Sequence, residues 1–179
     1  MKYVSILRGI NVSGQKKIKM SDLKTLYETL GFKNVMTYIQ SGNVIFESSD
    51  KNQSRIKTLI EDAIEKKYEF SVPVVIRTNA EIGGLLKNSP FGAIDLAEEG
   101  TKVLVTFLGN TPDKDDVSNV RDYVVLPEKL VVKGREVYVY CPNGYGKSKL
   151  SNTFLENKLR VEATTRNWKT VHKLYELSV

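Results

Sequence analysis

Asn34-Val35-Met36-Thr37-Tyr38-Ile39-Gln40-Ser41-Gly42-Asn43-Val44-Ile45-Phe46-Glu47 is the stretch that decides the fold. Its two flanks, 34–39 and 43–47, are rich in β-branched and aromatic residues, with Ser41-Gly42 as a turn signal between them, so it reads as two strands around a tight connection. Helical patterns lie on either side. Upstream, Leu23, Leu26, Tyr27 and Leu30 follow the i, i+3, i+4, i+7 rule, with Ser21 placed to cap the helix and Gly31 to stop it in a left-handed conformation. Downstream, Ile56, Leu59, Ile60, Ala63 and Ile64 mark one face of a helix over about 52–67. Residues 2–8 and 72–77 supply two more strands, the first apolar enough to be buried on both faces and central in such a sheet. Pro73 assigns the second to an edge or strand-entry position. The order is therefore β-α-β-β-α-β over about 78 residues. That is the ferredoxin-like split βαβ pattern, an antiparallel sheet with two helices on one face.

The fold class expected is α+β, with a ferredoxin-like subdomain over 1–78, a connecting helix and linker over 79–101, and a second, smaller α+β subdomain over 102–179. Thr78 and Glu81 have capping-box spacing and open a short helix through about residue 87. Residues 102–108 read as a strand, and Thr111-Pro112-Asp113 opens a short helix with acids at its positive end. Residues 129–133 and 136–141 read as a hairpin around Lys133-Gly134-Arg135. Helices are expected at about 147–159 and 165–177, the latter capped by Thr164 or Thr165. The second half resembles the first loosely in its order of elements, without a clear sequence repeat.

Composition narrows the function classes. No apolar run approaches the roughly 20 residues that cross a bilayer, and the N-terminus reaches a charge too early for a secretory signal. A cytoplasmic protein without a membrane partner is expected. One cysteine, Cys141, and one histidine, His172, leave no multi-cysteine zinc site and no disulfide framework. No metal and no cofactor is expected, and Cys141 reads as a small buried residue. The net charge of +6 is uneven. Residues 8–24 hold Arg8, Lys16, Lys17, Lys19 and Lys24 against Asp22, for +4. Seven cations against three acids give +4 over 144–179, and six acids against two lysines give −4 over 95–116. Two basic ends invite an anionic partner, against the plain alternative of a solvated surface.

Three polar, glycine-bearing segments stand out: Leu7 to Gly14, Tyr38 to Phe46, and a C-terminal stretch running from Pro142-Asn143-Gly144-Tyr145-Gly146-Lys147-Ser148 to Arg166-Asn167-Trp168. Gly144 to Ser148 lies between a strand and a helix, as a phosphate loop would, but Cys141 stands where the Walker pattern needs glycine. What survives is an anion site formed by free helix amides, Lys147 and the Ser148 hydroxyl. Arg166 offers a planar bidentate donor, beside Asn167. Trp168 reads as packing, or else as a stacking platform for a base. Arg8 ends the first strand and Asn11 follows in its loop. Gln40, Ser41, Gly42 and Asn43 read as turn or docking residues. They are expected at the opposite end of the sheet from Arg8 and Asn11, which argues against one shared site.

The same three segments resemble a bacterial family, the domain-of-unknown-function family sixteen-ninety-seven, whose opening signature reads Leu-Arg-Gly-Ile-Asn-Val-Gly-Gly. Here Leu7-Arg8-Gly9-Ile10-Asn11-Val12-Ser13-Gly14 departs from it at Ser13. Thr37 to Val44 and Thr165-Arg166-Asn167-Trp168 carry the rest of the resemblance. It implies a two-subdomain α+β fold and brings no established activity. Ser13 implies a loop that tolerates a side chain there.

Three functions follow from the residues. The first is a non-metal binding module for an anionic ligand, a nucleic acid or a nucleotide, using Arg8, Asn11, Lys147, Ser148, Arg166, Asn167 and Trp168. The second is an enzyme on a phosphorylated or carboxylated small molecule, which lacks a convincing general base. The third is a protein-interaction module. The oligomeric state is not encoded in any of these features.

Overall fold

The computed structural model describes all 179 residues. It is α+β, with two four-stranded antiparallel sheets and six α-helices. Two compact units divide the chain: Met1–Gly83 with Leu174–Val179, and Gly84–Lys173.

In the first unit the order is β1 (Lys2–Leu7), α1 (Met20–Thr29), β2 (Lys33–Tyr38), β3 (Asn43–Glu47), α2 (Gln53–Tyr68) and β4 (Val74–Thr78). The sheet runs β2-β3-β1-β4, and every neighbouring pair is antiparallel. Alternation along the strands makes the core. Tyr3, Leu7, Val44, Phe46, Val74 and Ile76 join the α1 residues Leu23 and Tyr27 and the α2 residues Ile56 and Ile60 in one apolar cluster. The intervening residues Val4, Ile6, Ile45 and Val75 are buried as well, so β1 is covered on both faces as its sequence requires. The Ser5 hydroxyl, buried on the helix side, pairs with the Tyr27 hydroxyl at 2.8 Å. This satisfies two polar groups that would otherwise cost stability.

Gly31, at φ +85°, stops α1 as expected. Ser21 does not cap it. The helix starts one residue earlier, at Met20, and Lys19 in the N-cap position gives no side-chain hydrogen bond. The capping box at the start of α3 (Asn79–Lys87) is complete. The Thr78 hydroxyl accepts from the Glu81 amide at 3.1 Å, and the Glu81 carboxylate accepts from the Thr78 amide at 2.7 Å.

The second unit follows the same plan: β5 (Val103–Leu108), α4 (Lys114–Arg121), β6 (Lys129–Lys133), β7 (Glu136–Tyr140), α5 (Asn152–Leu159) and β8 (Ala163–Asn167), followed by α6 (Trp168–Ser178), whose last residues, from Leu174, belong to the first unit. Its sheet order, β6-β7-β5-β8, is the first order shifted by four strands, again antiparallel throughout. Two corrections make the correspondence visible. The helix expected at 147–159 is a 3-10 turn, Tyr145–Lys147, and then α5, which is capped by the Ser151 hydroxyl accepting from the Phe154 amide. The helix expected from 165 begins at Trp168, because Ala163 to Asn167 pair with β5. The β-branched Thr164 and Thr165 suit that strand and do not cap. The cap is Asn167, whose side-chain oxygen accepts from the Thr170 amide at 2.8 Å.

Equivalence between the units reaches single residues. Arg77 lies opposite Val4 on β4, and Arg166 lies opposite Val105 on β8. Each arginine is followed by the residue that caps the next helix, Thr78 or Asn167.

Candidate functional site

Antiparallel pairing of β1 with β3 brings the end of one strand beside the start of the other, with Ile6 opposite Asn43. The turn 40–43 therefore sits next to the loop after β1, not at the far end of the sheet. The expectation was wrong because antiparallel neighbours run past each other, so the later strand starts where the earlier one stops. The Leu7 amide donates to the Gly42 carbonyl at 2.8 Å. The Asn11 side-chain amide donates to both Gln40 O and Ile18 O at 2.9 Å, and its oxygen accepts from the Ile18 amide at 2.9 Å. Gly42 has φ +82°, and a Cβ there would lie 2.6 Å from Ile10 Cδ1. Glycine is required by both conformation and space. Asn43 is buried and donates to Tyr38 O at 3.0 Å. Two of the three polar segments are thus one structural joint.

Asn11, expected to meet a ligand, spends both of its donors on holding this loop. Arg8 is half-buried, and its amide donates to Pro73 O at 2.9 Å. The loop itself is bent by left-handed residues, among them Asn11, Ser13 and Lys16 at φ +55°, +50° and +43°.

That bent loop delivers Lys17 and Lys19 to an open cleft of about 670 Å³, together with Asn11, Gln40, Tyr68 and the first residues of α1. Both lysines are exposed. The first amides of α1 receive no side-chain cap, so the positive end of the helix opens onto the same space. Asp22, in the first turn, offsets part of this charge. Tyr68 stacks on Phe70 at 5.9 Å, and its hydroxyl is buried without a hydrogen-bond partner. Burial pushes that phenol up from its ordinary pKa, with the Asp22 charge adding to the effect. Lys17, Lys19 and Tyr68 were not singled out in the sequence. The +4 charge of 8–24 was the available signal for the lysines, and nothing in the sequence tied Tyr68, at the end of α2, to that loop.

The C-terminal segment is occupied differently. The Lys147 and Ser148 amides donate to Gly144 O and Tyr145 O, and the Ser148 hydroxyl accepts from the Leu150 amide at 3.0 Å. These groups close turns four or more residues ahead of α5, so the helix-start argument for an anion fails there. Thr165 bridges Thr106 at 2.7 Å and Asn152 at 2.9 Å, and Asn152 donates to Ala163 O at 3.0 Å. Arg166 directs Nη1 at the Thr164 hydroxyl and at Thr165 O, 3.1 and 2.8 Å away. Burial lowers its pKa to about 10. Trp168 is 2% exposed, its ring meeting Tyr138 and His172 at 6.4 and 5.6 Å, so it packs and does not offer a stacking face. Cys141 is buried, and burial raises its thiol pKa, which disfavours a thiolate.

No curated protein matches the chain. A solved structure, described as a conserved bacterial protein from Streptococcus pneumoniae, is similar with a TM-score of 0.79 at 24% identity, over 99% of this chain and 98% of that one. This likeness concerns the fold. The model of a family described as a protein of unknown function, DUF1697, matches residues 1–138, and the chain belongs to that family.

Proposed function

We propose that the chain is a binding module for an anionic ligand, a nucleic acid or a nucleotide, with the cleft of the first unit as its site. One observation carries the reading: Lys17 and Lys19 flank the uncapped start of α1 in an open cleft of about 670 Å³. Ammonium groups and the first amides of a helix both favour negative charge, and at this exposed site their combined effect is greatest at low ionic strength.

The reading includes a ferredoxin-like first unit, supported by its strand order and by α1 and α2 sharing one apolar cluster with the sheet. Recognition differs from that of RNA-recognition sheets, which stack bases on exposed aromatics. Here Tyr3 and Phe46 are fully buried beneath the helices, so binding belongs to the loop and the cleft.

The test is fluorescence anisotropy with labelled single-stranded RNA and duplex DNA across a salt series, competed by mononucleotides, for wild type and the Lys17→Ala/Lys19→Ala double variant. Binding that falls with salt and weakens in the double variant supports the reading. Absence of binding by polymer and mononucleotide alike at low salt, or binding indifferent to the double variant, overturns it.

A further inference from the structure

The two units share a topology but differ at one edge. In the first, α1 packs on the edge strand β2. In the second, α4 packs on α5 and does not cover β6 in the same way. A groove of about 400 Å³ opens there. One wall is a single face of α4, where Lys114, Val117, Ser118 and Arg121 follow helical spacing, and Val132 of β6 adds apolar surface. No carboxylate lines this groove. Lys114 and Arg121 make no ion pair, whereas the Asp116 carboxylate is held by Arg160 at 3.7 Å.

β6 is the last strand of its sheet, so one row of its amides and carbonyls has no strand beside it. Leu130 and Val132 are only partly buried against the core. The connection from α4 into β6 exposes Val125 and Leu126 at 62% and 86%. An edge strand, a neighbouring helix and apolar side chains between them are the elements of strand-addition recognition, in which main-chain bonds give affinity and alternate side chains give specificity.

We propose that this groove receives an extended segment of a partner protein, added as a strand to β6, with acidic side chains toward Lys114 and Arg121 and apolar ones on Val117 and Val132. Charge selects the partner. A second copy of this chain is disfavoured, because antiparallel self-pairing of β6 about Val131 would set Lys129 against Lys133. The same lysines repel basic segments.

The test selects binders from a random heptapeptide library on the immobilised full chain, then measures each selected peptide by anisotropy and by amide hydrogen exchange. The expected result is enrichment of sequences that carry both acidic and apolar residues within one set of alternate positions, the set that faces the groove, protection of residues 129–133 on binding, and binding weakened roughly tenfold or more by Lys114→Glu with Arg121→Glu. An unchanged melting temperature shows that the double variant is folded. Leu130→Pro, judged by the same criterion, is the second variant, because the Leu130 amide faces the open edge whereas Val131 bonds to Tyr138 within the hairpin. It should block binding while leaving the charges in place. Failure to enrich any sequence, enrichment of basic or unpatterned sequences, protection outside β6, or binding unaffected by both variants overturns the proposal.

Discussion

The side-chain amide of Asn11 donates to the main-chain carbonyl of Gln40 across 2.9 Å, joining the loop after β1 to the turn before β3. The same side chain exchanges hydrogen bonds with Ile18, so one residue fixes both ends of the bent loop and its neighbour. Asn11→Ala removes all three bonds and leaves part-buried backbone groups unpaired. A loss of about 2–3 kcal/mol is expected, which for a chain of this size lowers Tm by roughly 4–12 °C. Gly42→Ala should be at least as damaging, because its Cβ would fall 2.9 Å from Leu7 Cβ and 2.6 Å from Ile10 Cδ1. Thermal unfolding of both variants checks this, and wild-type stability in Asn11→Ala would sink the clamp assignment.

Ser13 tests the loop from the other direction. It holds φ +50° on an exposed position, where a side chain is tolerated but strained. Ser13→Gly should relieve that strain, partly offset by the greater freedom of glycine in the unfolded chain, for a net gain of about 0.5 kcal/mol. Denaturant titration should show a higher midpoint with an unchanged slope. A lower midpoint would mean that the serine hydroxyl holds the loop.

The first unit was open to reading from sequence because its signals are local. The 3.6-residue periodicity of α1 and α2, the Gly31 stop and the Thr78–Glu81 box each act within a few residues, and each lies where the spacing puts it. The second unit hid β8, because Thr164-Thr165-Arg166-Asn167 carries cap-forming residues whose state is decided by pairing with β5, far away in the chain. With β8 assigned as helix, the repeat could not be seen. The site suffered from a different gap. Lys17, Lys19 and Tyr68 meet only through tertiary structure, while Lys147 and Ser148 resemble a phosphate loop yet spend their amides on turns.

Glu81 supplies a pH prediction. Burial of its carboxyl raises the pKa, but bonds from the Thr78 amide, the Gln53 side chain and the Thr78 hydroxyl, with the Arg77 charge, bring it below the ordinary carboxylate value. A folded-state pKa below the unfolded one means stability that is present above the unfolded value, about 4.3, and lost as pH falls through the folded value. Glu81→Gln should cost about 1 kcal/mol at neutral pH and make the fall of Tm between about pH 5 and pH 3 shallower than in wild type. Parallel Tm–pH curves for the two proteins would show that Glu81 does not carry this linkage.

Trp168 is the single tryptophan, so it reports on its own environment without mutation. Packed against Tyr138 and His172 at 2% exposure, it should emit in the blue-shifted range of a buried indole and resist acrylamide quenching until the second unit unfolds. Anionic ligands at the first-unit cleft should leave that emission unchanged, because the indole offers them no face. Trp168→Ala should cost about 3–5 kcal/mol by opening a cavity, whereas Trp168→Phe, which keeps an aromatic ring, should cost less and retain ligand binding. Red-shifted, readily quenched emission in the native protein, or quenching of Trp168 by a bound nucleotide, would return this residue to the role of a stacking platform and move the ligand site to the start of α6.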